Sequence, residues 1–299
     1  MWQNRWSIPV AFILIISKKP FTMKGLSHSK GIILSGGRKM ADSDAVLYEK
    51  KDRIVYITIN RPERMNALGR DVSDGLARSF TDFRDDNDAW VAIITGAGDR
   101  AFCAGADLKQ AAESAASGET TRNYRVNPGI NDGSLQVWKP IIAAINGYAL
   151  GGGLEMALAC DIRIAAEHAQ LGLPEAKRGR GAGGGGTVKL PRYIPIGVAL
   201  EYLFTGRHMT AQRAYETGLV NKVVPKEQLI TAATEMANEI LECAPLSVRW
   251  MKENALKGLS LSMHEAMRLR VGPDIYNMED VREGARAFAE KRKPVWQGR

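Results

Sequence analysis

Two glutamates in the middle of the chain, Glu155 and Glu175, stand beside glycine-rich sequence. Glu155 follows a glycine triplet at the start of a predicted helix, and Glu175 precedes a run with six glycines in eight residues, 179–186. Two carboxylates that meet at one water molecule can divide acid and base work, because their mutual repulsion pushes their pKa values apart. Glu155 also has a simpler explanation, since the helix dipole stabilises an acidic side chain in the first turn of a helix. Spacing leaves both interpretations open.

Two glycine-containing turns, residues 104–107 and 151–153, each follow a predicted strand. Both turns present backbone N–H groups without a bulky side chain, and two such donors that converge on one point stabilise a developing oxyanion. The helix that begins near Leu154 adds the positive end of its dipole at the second turn. The alternative is that these glycines only permit tight connections between strand and helix.

The elements that would carry these residues alternate between strand and helix. A hairpin is predicted over 46–60, and a helix follows in which Val72, Leu76, Phe80 and Phe83 recur at helical spacing. Three more buried strands are predicted from apolar runs, over 90–95, 141–146 and 162–165, and a glycine-rich turn is predicted over 147–153. This alternation predicts an α/β fold whose strands are joined by crossover helices.

Helical periodicity dominates the last third of the chain, where Pro225, Pro245 and Pro273 separate the candidate helices. The predicted helices cover 211–217, 226–243, 246–257 and 274–291. The segment 111–135 is polar and without periodicity, so we expect it to be mobile and to cover an active site. The glycines of 179–186 suit close backbone packing rather than the interior of a helix or strand.

The charge of the chain is concentrated at its N-terminus. The sequence has 41 Lys and Arg against 33 Asp and Glu, and residues 1–40 contain seven of the basic residues and no acidic one. We interpret 1–40 as a basic extension, disordered or not native, with Met40 as the natural start. The apolar run 8–16 is too short to span a bilayer, no small-residue cleavage site follows it, and it lacks the amphipathicity of a transit peptide. The rest of the chain, with 34 basic and 33 acidic residues, offers no footprint for nucleic acid or for stable membrane association.

The cysteines and histidines suggest neither disulfides nor metal ligation. Cys103, Cys160 and Cys243 are far apart, odd in number and set in mostly apolar sequence, which predicts reduced, buried thiols of an intracellular, cytoplasmic protein. The four histidines show no ligand spacing with one another or with cysteine, so no metal site is expected.

Several strings of the chain together resemble the crotonase (enoyl-CoA hydratase/isomerase) superfamily, from about residue 45 to the C-terminus. They are Asn66-Ala67-Leu68, AFCAGAD at 101–107, KPIIAAINGYALGGGLE at 139–155, Leu-Pro-Glu at 173–175 with its glycine run, and EGARAFAEKRKPVWQGR at 283–299. The resemblance implies an α/β spiral core of ββα units over 41–240. It also implies a helical C-terminal region over 241–299 that supports trimer contacts, and hence a homotrimer or a dimer of trimers.

Carried over residue by residue, the resemblance places the oxyanion-hole amides on Ala106 and Gly152 and the hydratase glutamates on Glu155 and Glu175. Members that isomerise, hydrolyse or decarboxylate commonly lack one of the two acids. The resemblance therefore implies an enoyl-CoA hydratase, a lyase of fatty acid metabolism and β-oxidation. Coenzyme A is part of its substrate, and no other cofactor is expected.

The same resemblance implies where acyl-CoA binds. The residues concerned are Asn66, Ala67, Leu68, Ala104, Ala106, Asp107, Leu108, Lys109 and Gly152. The basic stretch 291–293 could meet the phosphates of coenzyme A, or it could be a solvated helix end, where cations are favoured.

Three other activities stay open. Leu-Pro-Glu-Ala-Lys at 173–177 also resembles carnitinyl-CoA dehydratases, and isomerisation is known within the same superfamily. A few members bind RNA, although the balanced charge after Met40 opposes that role. The chain also departs from the family pattern, with Arg180, Gly181 and Ala182 where an apolar residue and a proline are usual. Arg180 either faces solvent or points inward, where it would lower the pKa of Glu175 or meet a polar acyl group.

Overall fold

The first elements of the computed structural model, which describes residues 45–116 and 128–299, are the predicted hairpin and helix. β1 (Val46–Lys51) pairs antiparallel with β2 (Ile54–Ile59). α1 (Arg70–Asp85) follows, and its stripe of Val72, Leu76, Phe80 and Phe83 is fully buried. Both predictions are confirmed, because alternation in the strands and the helical period in α1 each place one apolar face against the core.

The larger of two sheets has six strands in the order β1-β2-β3-β5-β7-β10. Its other members are β3 (Val91–Gly96), β5 (Ile141–Ile145), β7 (Ile162–Ala166) and β10 (Lys222–Val224). From β2 onward all neighbours are parallel. Nearly every residue of β3 and β5 is buried, because the sheet is covered on both faces. One face joins the main core with α1, and the other packs on α7 (Leu229–Leu241).

A second sheet of four short strands lies in the order β4-β6-β8-β9. Its strands are β4 (Ala101–Cys103), β6 (Tyr148–Leu150), β8 (Gln170–Gly172) and β9 (Met209–Thr210). Each of β3, β5 and β7 is thus followed by a strand in the second sheet and then by a helical segment, which is the ββα spiral. The prediction of a turn over 147–153 is wrong at 148–150, because these residues form the strand β6. A strand of three residues is too short to show alternation in the sequence.

Helices fill the connections and the C-terminal part. They are α2 (Leu108–Ala116), α3 (Gly152–Ala157), α4 (Gly186–Tyr193), α5 (Ile196–Thr205), α6 (Ala211–Glu216), α7, α8 (Pro245–Gly258), α9 (Met263–Ala266) and α10 (Glu279–Ala289), with 3-10 helices at Pro62–Arg64, Pro174–Arg178, Lys226–Gln228 and Ile275–Asn277. The four predicted C-terminal helices are confirmed. The first residues of the segment 111–135, as far as Ala116, belong to α2, and its residues 117–127 lie outside the described ones. The mobility expected of this segment stays a prediction.

Two buried carboxylates of α10 hold the C-terminal tail against that helix. Asp280 accepts the backbone N–H groups of Gln297 at 2.7 Å and Gly298 at 2.9 Å. Glu283 accepts the Val295 amide at 2.9 Å, and its ion pair with Arg292 has a 2.6 Å contact. The predicted basic stretch 291–293 therefore has a structural role through its central residue, and its contact with coenzyme A stays a prediction.

The cysteines divide into two buried and one exposed. Cys103 and Cys160 are buried, and burial raises the pKa of both thiols to about 12. Cys243 is exposed, so the prediction of a buried thiol is wrong there. It lies two residues beyond the last residue of α7.

The predicted segment boundaries remain open. Residues 1–40 lie outside the described part of the chain. The residues Met40–Arg299 form one compact unit, and a division at 240/241 stays a prediction. None of the helices formed by the described residues is long and apolar enough to cross a membrane.

Candidate active site

The loop after β4 is held by the segment before α1. The Leu68 amide donates to the Gly105 carbonyl at 2.7 Å, and the Asp107 amide donates to the Leu68 carbonyl at 3.0 Å. Gly105 has a φ of +90°, and a Cβ at this position would lie 2.7 Å from the Leu150 carbonyl oxygen. Glycine is therefore required here by both conformation and close approach, and the backbone of Ala106 is left facing the second glycine turn.

The second turn begins α3 beside that loop. A Cβ built on Gly152 would lie 4.0 Å from the backbone nitrogen of Ala106, which shows how near the two amides are. Neither amide donates to an acceptor within residues 45–116 and 128–299. Both residues line the same cavity. The structure thus brings together the two amides that the resemblance assigned to an oxyanion hole.

Glu155 lies one turn into α3 and is only 5% exposed. Its Oε1 accepts the backbone N–H groups of Gly184 at 2.7 Å and Gly186 at 3.0 Å. A Cβ on Gly184 would stand 2.9 Å from the Glu155 carboxyl carbon, so only glycine admits this contact. The predicted close backbone packing of the glycine run is confirmed, and it serves to orient this carboxylate.

Glu175 lies in the 3-10 helix Pro174–Arg178 and is half-buried. Its Oε2 is buried and has no hydrogen-bond partner among the described residues. Burial raises the pKa of Glu175, the negative charge of Glu155 raises it further, and the charge of Arg178 opposes this rise. Glu175 is therefore poised to carry a proton at a higher pH than an ordinary glutamate.

Both carboxylates and both amides line one cavity of about 500 Å³. An acyl thioester whose oxygen met the two amides would have its neighbouring carbons within this cavity, where the carboxylates can reach them. Oxyanion donors beside an acid/base pair support chemistry at the carbons next to a thioester carbonyl.

The model of the enoyl-CoA hydratase/isomerase family matches residues 49–299. The chain belongs to this family. It is 41% identical over 265 residues to a carnitinyl-CoA dehydratase of Salmonella arizonae, covering 86% of this chain and 99% of that protein. It is also similar to the crystal structure of an enoyl-CoA hydratase from Mycobacterium tuberculosis, with 41% identity, a TM-score of 0.78, and coverage of 86% and 100% of the two chains. The enoyl-CoA hydratase of Bacillus anthracis matches with 37% identity, a TM-score of 0.76, and coverage of 85% and 100%. The resemblance to the crotonase superfamily is confirmed.

The residues that family resemblance assigns to acyl-CoA fall into two groups in this structure. Leu68, Ala104 and Leu108 line the cavity together with Ala106 and Gly152. The others, Asn66, Ala67, Asp107 and Lys109, do not contribute to its wall. Whether either group contacts coenzyme A stays a prediction.

Two of the residues outside the wall support the loops around it. Asn66 is fully buried, and its side-chain nitrogen donates to the carbonyls of Ala97 at 3.0 Å and Ala101 at 2.7 Å. Asp107 is buried beside Arg64, whose guanidinium donates to it at 3.0 Å. Although burial raises the pKa of Asp107, the hydrogen bonds from Gln110 and Arg64 and the nearby positive charges lower it overall.

Three polar residues of the wall were not predicted as site residues: Asn131, Asp132 and Arg178. Asn131 is 4% exposed, and its side-chain nitrogen lies 3.4 Å from the Gly152 carbonyl, while Oδ1 has no partner among the described residues. Asn131 and Asp132 belong to the segment without periodicity, where no pattern marks a functional residue. Arg178 could have been found from its spacing, since it lies three residues after Glu175.

Arg180, the departure from the family pattern, also lines the cavity. Its side chain is exposed, and it forms no ion pair with Glu175. Its backbone amide donates to the Glu175 carbonyl at 3.0 Å. Of the interpretations drawn from the sequence, pairing with Glu175 is absent from this structure, and a position facing the acyl group is compatible with it.

Proposed function

We propose that this chain is an enoyl-CoA hydratase, a lyase that adds water reversibly to the 2,3 double bond of an acyl-CoA thioester. The observation that carries the proposal is the meeting of Glu155 and Glu175 with the amides of Ala106 and Gly152 on the wall of one cavity. Retention of both glutamates favours hydration or dehydration over isomerisation, as family resemblance implies.

The two amides act on the thioester oxygen. When water attacks C3, the electrons of the double bond move toward this oxygen and form an enolate. Ala106 and Gly152 both line the cavity, and their N–H groups stabilise the enolate there.

The surroundings of the two carboxylates divide their roles. Glu155 uses Oε1 to accept two backbone amides, so its other oxygen is left to take a proton from the attacking water. Glu175 has a buried oxygen without a hydrogen-bond partner among the described residues, and its pKa is raised. Both properties favour it as the proton donor to C2. The water oxygen bonds to C3, C2 receives the proton, and transfer of a proton from Glu155 to Glu175 through water restores the pair.

A dehydratase of the carnitinyl-CoA type is the second candidate. The 41% identity to such an enzyme favours it, and the same two carboxylates would run the reaction in the direction of water loss. Isomerisation of the double bond is the third. The mass of the product separates these reactions, because only hydration adds the mass of one water.

The test measures loss of ultraviolet absorbance of crotonyl-CoA by the full chain and by the variants Glu155→Gln and Glu175→Gln. Each variant keeps the side-chain shape but loses proton transfer, so we expect kcat to fall by about 10²- to 10⁴-fold. The exposed Glu167, outside the cavity wall, provides the control Glu167→Gln, which should match the parent protein. Hydration that continues at nearly the parent rate in both cavity variants would contradict the proposal.

The proposal extends to assembly as a homotrimer or a dimer of trimers, with acyl-CoA as substrate. Its support is a set of exposed apolar side chains in the C-terminal helical part: Leu259 at 77%, Met263 at 79%, Met267 at 79% and Phe288 at 87% exposure. Exposed apolar side chains that form a contiguous patch mark a surface that packs against another protein. Sedimentation equilibrium of the full chain tests this, and a monomer at micromolar concentration would contradict it.

A further inference from the structure

Two arginines, Arg178 and Arg180, lie in the wall of the cavity that holds the proposed catalytic carboxylates. Arg178 ends the 3-10 helix that carries Glu175, and Arg180 follows two residues later. Both side chains are exposed, so their guanidinium groups are accessible to a ligand. Neither forms an ion pair with an Asp or Glu in the described ranges, 45–116 and 128–299.

The acids beside these arginines already have other partners. Glu155 accepts two backbone amides. Asp132 accepts the Ser134 amide at 3.0 Å, and its negative charge favours the charged form of Lys189. Burial and the charge of Glu155 raise the pKa of Glu175, which favours its uncharged form, although the positive charge of Arg178 opposes this rise. The cavity therefore presents two cations that none of its own acids neutralises through an ion pair.

The position of the two arginines in the cavity wall indicates that they face the acyl part of a substrate. In the proposed function the reacting carbons lie between the two carboxylates, so the chain beyond C3 continues toward the loop whose amides bind Glu155. Arg180 and Gly181 begin this loop on the cavity wall. A Cβ at Gly181 would meet no atom of the described residues within 4 Å, so this part of the chain leaves open space beside Arg180. The residues predicted to carry coenzyme A lie on other elements, at 66–68 and 104–109.

We propose that Arg180, with Arg178 beside it, binds a carboxylate at the far end of the acyl group, so that the substrate is an enoyl-CoA with an acidic acyl chain. This inference rests on the proposed function for the position of the reacting carbons. A guanidinium binds a carboxylate through two parallel N–H···O bonds, and the planar fork gives the pairing its orientation. A quaternary ammonium at the same place would be repelled, and an aliphatic chain would leave both guanidinium groups unpaired.

The phosphates of coenzyme A offer the same oxyanion chemistry and are the competing source. Two substrates that carry identical coenzyme A but differ at the end of the acyl chain separate the two sources. A contact with phosphate affects both substrates equally. A contact with the acyl carboxylate affects only the acidic one.

The experiment compares kcat/KM for hydration of glutaconyl-CoA, whose acyl chain ends in a carboxylate, with that of trans-2-hexenoyl-CoA, of similar length and neutral. The full chain should prefer glutaconyl-CoA by at least about tenfold, and Arg180→Gln should lower this preference roughly 10- to 100-fold, the range for a lost charge-assisted hydrogen bond. Arg180→Lys keeps the charge without the fork and should give an intermediate value. The exposed Arg78 on α1, outside the cavity wall, provides the control Arg78→Gln, whose preference should equal that of the parent.

Two results would overturn the inference while leaving the hydratase proposal intact. Equal losses on both substrates in Arg180→Gln would assign the arginine to a phosphate of coenzyme A. Unchanged kcat/KM values on both substrates would show that the side chain takes no part in substrate recognition.

Failure of the proposed function is recognised separately, by binding of the unreactive saturated analogues glutaryl-CoA and hexanoyl-CoA in calorimetry. If neither enoyl thioester is hydrated, a tighter affinity for glutaryl-CoA that is lost in Arg180→Gln still supports the carboxylate site. Equal affinities for the two analogues would overturn it.

Discussion

The substitution Gly151→Ala tests whether proton transfer by Glu175 depends on the position of its side chain in this structure. Gly151 has φ +53° and ψ −124°, a conformation that side chains with a Cβ rarely adopt. A Cβ at this position would also lie 2.9 Å from Oε1 of Glu175. The substitution therefore strains the backbone and pushes the proposed proton donor away from the cavity.

Both effects can be given a size. An L-residue in this sparsely populated region of backbone space costs about 1–3 kcal/mol of the free energy of unfolding. Ordinary van der Waals contact begins at 3.4 Å, so the carboxylate has to retreat by about 0.5 Å. Because a misplacement of about 1 Å can cost 10²-fold in rate, we expect kcat for crotonyl-CoA hydration to fall about tenfold.

The assay measures kcat, KM and the thermal unfolding temperature of Gly151→Ala beside Gly218→Ala. Gly218 has φ +82°, and a Cβ there would meet no atom of the described residues within 4 Å. Gly218→Ala therefore strains the backbone without displacing a side chain. Both variants should lose stability, and only Gly151→Ala should lose kcat. In a Glu175→Gln background the Gly151 substitution should have little further effect on kcat, because the two changes act on one group. Full kcat in Gly151→Ala, or a tenfold loss that persists in the Glu175→Gln background, would refute this reasoning.

Three further predictions concern titration and stability. The pKa of Glu175 is raised in the folded state, so its contribution to stability is fully present below its unfolded pKa and is lost as pH rises through its folded pKa. The free energy of unfolding in urea should show this loss in the parent protein and not in Glu175→Gln. Burial lowers the pKa of Lys139 to about 8, so the stability of the fold should increase as pH rises from about 8 to 10.5. Thermal unfolding across this pH range should show the increase in the parent protein and not in Lys139→Met. Asp280→Ala leaves the amides of Gln297 and Gly298 without their carboxylate and should cost about 2–3 kcal/mol, with faster hydrogen exchange confined to the tail; exchange that stays at the parent rate would show that other contacts hold the tail.

The large elements of the fold could be predicted because their periodicity extends over several turns or residues. In α1 the stripe from Val72 to Phe83 repeats over three turns, and the buried strands β3 and β5 are continuous apolar runs. The second sheet was missed, since β4, β6 and β8 have three residues each and cannot show an alternation. The glycines around β6 also suggested a turn where the backbone in fact pairs with two neighbouring strands.

The candidate site was predicted by residue type and resemblance, and its geometry came from contacts between distant parts of the chain. Glu155 was found beside its glycine triplet, but the amides that hold it belong to Gly184 and Gly186, at least 29 residues later. Asn131 gave no signal in the sequence, because a single polar residue in a segment without periodicity looks the same in solvent and in a cavity wall. Asn66 was predicted to bind coenzyme A, whereas in the structure its side-chain nitrogen donates to two backbone carbonyls.

The sequence by itself determined the family, the α/β class, the two glutamates and the glycines that allow backbone amides to approach them. Those properties depend on residue identity and on neighbours within a few positions. Only the tertiary structure decided that Glu155 is oriented by amides, that Glu175 keeps a buried oxygen unpaired, and that Arg180 lies in the same wall. These properties depend on how two sheets and their crossovers bring residues 66–68, 104–107, 151–155 and 175–186 together, and burial and charge act on a side chain only after that arrangement exists.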